Sequence, residues 1–410
     1  MDIKKIRKQF PMLANNTLMQ GKPLVFLDNA STSLKPQCVI DAMNRYYSEA
    51  TSNSHRGDYD LCFFVDKEIN DTRKLVAEFV NCDVNSVVFT SGDTEALNLV
   101  AYGYALKFLK KGDGILISEI EHASNALPWF RISELTGCSI YCINTDNGKV
   151  TPTNVEKALK EHKNIKLVSI AHMSNVLGYK VDIKEVAKIV HKYGALICVD
   201  GAQSVPHFKT NFKDWDIDFL AFSAHKMCGP TGIGCLIGKE DILNKMDPFI
   251  TGGGMNVTFS KDMKYEPLPA PVKFEAGTQN IAGIYGFGAA IKFLMSIGMD
   301  EIEQREKQLR SYLNKKLQNQ DNIVCVNPDS DSGIFTFNVK NVFAQDEGTL
   351  LNSKGIAVRT GKHCAKMIDD VINEIATIRV SLYFYTTEEE IDALVDALIN
   401  GGDILDAYFN

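Results

Sequence analysis

The sequence predicts an α/β protein: a large domain on a mostly parallel central sheet flanked by helices, then a smaller α+β C-terminal domain. Three observations carry this. Short apolar runs of strand length alternate with amphipathic helical stretches through the first 290 or so of the 410 residues. Several runs end on polar, ionisable residues, as expected of parallel strands whose carboxyl ends open on a ligand crevice. Past residue 290 the texture changes to a long helical stretch followed by a few short strands.

Taken in order, strands are predicted at 86–90 (SVVFT), 114–118 (GILIS), 138–143 (CSIYCI), 166–172 (KLVSIAH), 195–200 (ALICVD) and 219–224 (FLAFSA). Helical patterns fall between them at 94–109, 153–161 and 183–193. Pro152 fits the first helical position after Thr151 as N-cap, and Gly194 fits the residue just past a helix end. The apolar, glycine-rich stretch after Lys226, MCGPTGIGCLIG, reads as a buried turn. An amphipathic segment, 288–318, predicts one connecting helix. Strands follow at 333–339, 356–359 and 377–384, and a last helix at 388–399. The expected domains are therefore 1–290 and 291–410, with residues 1–25 free to pack on the smaller one.

Composition narrows the classes. Apolar residues make up 45% and the net charge is −7, with no dense Lys/Arg block, which argues against a nucleic-acid surface. No apolar core follows the charged opening MDIKKIRKQF and no run reaches membrane-spanning length, so neither a secretory signal nor a membrane partner is expected. The ten cysteines show no C-x-x-C pair and no zinc-like spacing. They read as reduced thiols of a cytoplasmic protein, with no metal site expected.

The chemistry concentrates between residues 196 and 226. One apolar run ends on Asp200, with Gln203 three residues later; the next ends on Ser223, His225 and Lys226. Most lysines are surface residues and most strand-end aspartates can be helix caps. Together at two strand ends, however, a desolvated lysine could form an imine and a carboxylate could hold a ring nitrogen protonated. That is the division of labour of a pyridoxal 5'-phosphate (PLP) site. Gln203 is placed to donate to a ring oxygen, and Ser223 and His225 to hold phosphate. Asp93 and Thr94 open a helix after a small-residue turn, offering backbone N–H groups and a hydroxyl to the same phosphate. His122 reads either as a core histidine or as a ring-stacking, proton-moving residue. Cys364 differs from the other nine thiols: it lies in a polar loop beside Lys362 and His363, with Arg359 near, and such neighbours favour the reactive thiolate.

These residues, with the ordered motifs FLDNASTS, NSHRG, EIEHASN, HMSNVLG, VDGAQSVPH, FSAHKMCGPTGIG, KFEAGTQN and VRTGKHCA and with Arg379, resemble the class V aminotransferase family of fold-type I PLP-dependent enzymes. More narrowly they resemble its SUF-type cysteine desulfurases, nearly end to end. The resemblance implies that Lys226 holds PLP and moves the substrate α-proton, Asp200 meets the ring nitrogen, Gln203 the ring oxygen, and His122 stacks on the ring. It implies phosphate binding by Thr94, Ser223, His225 and the Asp93 backbone, with Thr278 reaching the phosphate of a neighbouring subunit in a homodimer. Asn175, Arg359 and Arg379 would bind the cysteine substrate, and Cys364 would take its sulfur as a persulfide, leaving alanine. A SUF-type acceptor protein and iron–sulfur cluster assembly are the implied destination. Departures from the family pattern are Lys362, Gly254, Gln279 and Asp93. A charged Asp93 facing phosphate would be unfavourable, so its side chain is expected to cap the helix or point away.

Other chemistries on this scaffold are a selenocysteine lyase, which could use the same residues, and a plain C–S lyase or aminotransferase, which would not need Cys364. A nicotinamide-dependent oxidoreductase is disfavoured because no G-x-G-x-x-G follows the first strand; GPTGIG (229–234) comes after Lys226 instead. A non-catalytic scaffold would leave the ordered lysine, aspartate, histidine and cysteine unexplained.

Overall fold

Runs rich in Val, Ile and Leu need cover on both faces, and a helix-flanked sheet provides it. The computed structural model describes residues 1–54 and 57–402; His55 and Arg56 of the NSHRG motif lie outside the described residues. The central sheet comprises β1 (Val87–Thr90), β2 (Gly114–Ser118), β3 (Ser139–Ile143), β4 (Ile165–Ala171), β5 (Leu196–Asp200), β6 (Phe219–Ser223) and β7 (Gly234–Gly238), in the order β1-β7-β6-β5-β4-β2-β3. Side chains alternate between two cores. Val87, Phe89, Leu116, Val199 and Leu220 enter one, while Val88, Ile115, Ile117, Cys198 and Phe219 enter the other.

Only β7 runs antiparallel, wedged between β1 and β6. It arises from GCLIG, so the expected turn is shorter than the sequence implied. The wedge depends on glycine: a Cβ on Gly234 would come within 2.6 Å of the Gly92 Cα.

The helices Pro152–Glu161, Ile183–Lys192 and Glu388–Asn400 follow their sequence signals. We label α1 (Gln37–Glu49), α2 (Asp60–Val80), α3 (Asp93–Val100), α4 (Pro152–Glu161), α5 (Ile183–Lys192), α6 (Ile281–Ile297), α7 (Met299–Leu317) and α8 (Glu388–Asn400). Thr151 and Asn154 form a capping box at α4 with Pro152 at its start. Gly194, at φ +74°, follows the end of α5. The stretch predicted as one helix over 94–109 begins as α3 and then loosens into a π turn, Ala101–Ala105.

The single connecting helix expected over 288–318 is instead two, α6 and α7, bent by 72° where Gly298 takes φ +95°. Residue 290 falls inside α6, a largely buried helix packed on α1 and α2. The reason for the break is the change of surroundings: α6 is apolar nearly all round, whereas α7 buries one stripe and packs against α8.

A second sheet, all antiparallel, holds β8 (Ile323–Cys325), β9 (Ile334–Val339), β10 (Arg359–Gly361) and β11 (Thr377–Ser381) in the order β8-β9-β11-β10. The strand expected at 356–359 is split. Ile356 and Ala357 pair with Val25 and Phe26, and only from Arg359 does the chain join β11. The N-terminal segment also ties the structure together: Phe10 is buried against Phe293 and Tyr385, and Arg7 forms a fork with Glu390 at 2.9 Å.

At the sheet edge, Glu275 clamps β1 from outside. Its carboxylate takes two bonds from Arg73 at 2.8 Å and the Phe89 N–H at 2.9 Å, while Arg73 also reaches Val87 O. Both side chains are buried. Glu275→Ala would strand the guanidinium without its partner, at an expected cost of about 3–5 kcal/mol. The check is the urea-unfolding midpoint, which should fall; an unchanged midpoint would show that the clamp contributes nothing.

Candidate active site

Five strands of the central sheet end on one cleft, and each delivers its polar residues just past the last apolar one. Asp93 and Thr94 follow β1, His122 follows β2, Asn175 follows β4, Asp200 and Gln203 lie at and after β5, and Ser223, His225 and Lys226 lie at and after β6. Arg359 and Arg379 reach in from β10 and β11. All eleven line one cavity of about 200 Å³. Cys364 is exposed at its rim, and Thr278 is exposed and does not line it.

Burial sets the charges. Desolvation lowers the proton affinity of Lys226, opposed by Asp200 and Asp93 and reinforced by Arg379 and Arg359. Asp200, 5% exposed, accepts the Ala202 N–H at 2.9 Å. His122 accepts the Ser124 N–H on Nδ1 at 3.1 Å, which leaves Nε2 to carry the proton of the neutral ring. Desolvation also lowers the pKa of His122, and that of His225 falls to about 4 through desolvation and the nearby Lys226 and Lys35. Both imidazoles therefore act as neutral N–H donors near pH 7.

The start of α3 presents groups that suit an anion. The Thr94 hydroxyl pairs with Ser124 at 2.8 Å, and the Ser223 hydroxyl accepts the Asp93 N–H at 2.7 Å. Both hydroxyls and the His225 ring line the cleft at the amide end of the helix. Asp93 departs from expectation. It makes no cap and does not turn away: its carboxyl is buried in the cleft wall. Gln203 gives its amide N–H to Ala30 O at 2.7 Å, with Oε1 unpartnered.

Arg359 and Arg379 are cross-strand neighbours in register, so like charges lie side by side. The FLDNASTS motif holds them. Ser31 accepts from both, at 3.0 and 2.8 Å, and donates to Asp28, which itself pairs with Arg379 at 3.2 Å. Burial still lowers the Arg379 pKa to about 10, and its Nε has no partner. Two guanidinium groups with spare donors suit a ligand carboxylate.

Cys364 is placed by its backbone. Its carbonyl accepts the Ala123 N–H at 2.8 Å, beside His122, and Asn175 donates to His363 O at 2.9 Å. Asn175 O in turn accepts from Arg379 at 2.9 Å. His363 and Cys364 both adopt left-handed conformations, φ +50° and +59°, which non-glycine residues hold only when their surroundings impose it. The expected trio of cations around the sulfur is reduced to one. Lys362 is bonded to Asp369, and His363 is buried against Thr377 at 2.8 Å with its pKa lowered to about 3. Arg359 remains, with Nη2 3.8 Å from the Cys364 sulfur.

Several contributors lie within or beside the quoted motifs, with roles that only the fold reveals. Lys35, Thr32 and Ser33 all donate to His225 O, fastening the Lys226 turn. Glu121, 1% exposed, accepts from Ser118, Asn125 and the Ala171 N–H, joining the ends of β2 and β4 beneath His122. Desolvation raises its pKa to about 7. Among the described residues no group of His, Cys, Asp and Glu is arranged to hold a metal ion.

The family model for aminotransferase class-V matches residues 25–394. The chain belongs to the class-V aminotransferase family. Relatives in the family include a probable cysteine desulfurase of Halalkalibacterium halodurans, 42% identical over 401 residues and 97% of each chain. A cysteine desulfurase of Haloferax volcanii is 40% identical, covering 97% of this chain and 96% of its own. Among solved structures, the S-sulfonic acid form of the cysteine desulfurase CsdA from Escherichia coli superposes with a TM-score of 0.89 at 33% identity, over 98% of both chains. An apo cysteine desulfurase from Thermococcus onnurineus gives 0.90 at 34% identity, over 96% of both.

Three thiols are exposed, Cys38, Cys142 and Cys364. Desolvation pushes the Cys38 thiol up and that of Cys142 to about 11, so both are poor nucleophiles near neutrality. Limiting iodoacetamide at about pH 7 should therefore alkylate Cys364 first, and Arg359→Ala should slow it several-fold, as read by peptide mass spectrometry. Equal labelling of the three would contradict this.

Proposed function

We propose that this protein is a PLP-dependent cysteine desulfurase that converts L-cysteine to L-alanine and keeps the sulfur on Cys364 as a persulfide. The observation that carries the reading is an exposed thiol locked at the rim of a cleft whose floor is a desolvated lysine between carboxylates. The named activity of relatives at 40–42% identity over nearly the whole chain supports it.

The cleft fits PLP. Hydroxyls, a neutral imidazole and a helix start suit phosphate at one end, Asp200 suits a ring nitrogen, and buried polar atoms of Asp93, Gln203 and Arg379 await partners. When bound, PLP supplies the electron sink that lets the substrate α-proton leave. Lys226 would hold the cofactor covalently; as an amine whose proton affinity burial lowers, it is also the base placed for that proton. Thr94, Ser223, His225 and the α3 amides would hold phosphate, Gln203 the ring oxygen, and His122 would cover the ring. Arg379 and Arg359 orient the substrate carboxylate, while Asn175 positions the peptide before Cys364. The Cys364 thiolate attacks the substrate sulfur, the C–S bond breaks, and its electron pair stays with the carbon fragment. Protonation of that fragment gives alanine. Cysteine plus the Cys364 thiol thus become alanine plus the Cys364 persulfide, with no outside oxidant.

The proposal extends, on the resemblance to SUF-type enzymes, to a cytoplasmic homodimer with Thr278 contributed across the interface. Its extended form includes a SUF-type acceptor protein and supply of sulfur for iron–sulfur cluster assembly.

Cys364→Ala should keep the visible absorbance of the cofactor while alanine formation from cysteine drops by ~10³ or more. Lys226→Ala should lose covalently held cofactor. Undiminished release of sulfide from cysteine by the Cys364 variant, with pyruvate in place of alanine, would sink the persulfide mechanism and leave a simple C–S lyase.

A further inference from the structure

Asp93 introduces a carboxylic acid into a wall that otherwise presents donors. Its placement is specific. It opens α3, yet its side chain makes no capping bond; the Ser91 N–H is served by Glu95 at 2.7 Å instead. Its own N–H is taken by the Ser223 hydroxyl at 2.7 Å. The carboxyl is 6% exposed, lines the cleft, and leaves Oδ1 with no hydrogen-bond partner. An ionised carboxylate so placed would be desolvated without compensation.

The groups around it make the choice of proton clear. Asp200 faces it from the end of β5 and Lys226 from the turn after β6, so two acids share one amine. Across the cleft, Arg359 and Arg379 bear on Lys226, His122 lies near both Asp200 and Lys226, and His225 is neutral. Asp200 receives an N–H from Ala202, whereas Asp93 Oδ1 receives nothing. We infer that Asp93 stands in the cleft as a neutral carboxylic acid, a hydrogen-bond donor beside Asp200, and that the phosphate-bearing cofactor is held tightly only while Asp93 keeps its proton. The inference rests on the PLP reading. Burial and the nearby Asp200 both raise the Asp93 pKa well above the usual carboxylate range, with Lys226 opposing.

The sign is definite. As pH rises, Asp93 ionises and adds a negative charge beside a ligand that already carries phosphate, so affinity falls. Asp93 also raises the proton affinity of Lys226, so the two groups titrate as a pair and the ratio of wild type to variant reads their joint change. The test is PLP retention by holoprotein in equilibrium dialysis, from about pH 6 to about pH 9, for wild type, Asp93→Asn and Asp93→Thr.

At the acid end wild type and Asp93→Asn should bind PLP alike; at the alkaline end wild type should bind ~tenfold more weakly. Asp93→Thr should track Asp93→Asn, which preserves the comparison if the asparagine variant does not fold. A wild-type-to-variant ratio that does not change with pH would overturn the inference. So would a tenfold deficit of wild type already present at about pH 6, because Asp93 would then be ionised throughout. A wild-type protein that holds no PLP at any pH would instead remove the cofactor reading itself.

Discussion

Lys226 and Asp200 leave water at the carboxyl ends of two adjacent strands, and the rest of the cleft is arranged around that desolvation. A buried ammonium is costly, so the lysine gives up its proton more easily and becomes a usable amine. Asp200 opposes that loss, which keeps the lysine responsive to its surroundings. The parallel sheet makes the juxtaposition possible. Neighbouring strands that run the same way deliver their terminal residues to the same edge, and the turns beyond them need no further apolar cover. The Lys226 turn is then fixed from the opposite side by Lys35, Thr32 and Ser33, all bonded to the His225 carbonyl.

The second sheet supplies what the first cannot. Arg359 and Arg379 sit side by side on β10 and β11, and their repulsion is held in check by Asp28 and by a shared Ser31 hydroxyl. The chain leaving β10 carries Cys364 to the rim through two residues in left-handed conformation. Three contacts keep it there: Ala123 to the Cys364 carbonyl, Asn175 to the His363 carbonyl, and the His363 ring to Thr377. These bonds come from the segments that follow β2 and β4 and from the first residue of β11. A nucleophile outside the cleft is thereby indexed to residues inside it, which is the geometry a sulfur hand-over needs.

The parallel strands and their polar ends were legible because both signals are local. LICVD and FLAFS each state in a few residues that a buried strand stops and a site begins, and Thr151-Pro152 and Gly194 state helix limits. β7 was not legible, since its glycines are needed for a close approach to Gly92 that only the folded sheet creates. The bend at Gly298 depends on what α6 and α7 each pack against, not on the amphipathic pattern that spans them. At the site, residue types were readable but protonation was not. Lys362 and His363 look like cations beside Cys364 in sequence; folding pairs one with Asp369 and neutralises the other by burial. Asp93 shows the same gap, because its unpartnered oxygen exists only once the cleft closes around it.

The most direct test of sulfur transfer to Cys364 is intact-protein and peptide mass spectrometry after adding one equivalent of L-cysteine to the PLP-bound enzyme without reductant. The account predicts a gain of one sulfur atom, located on the Cys364 peptide and removed by dithiothreitol, with one alanine formed for each sulfur bound. Alanine or pyruvate released with no added sulfur on Cys364 would contradict it.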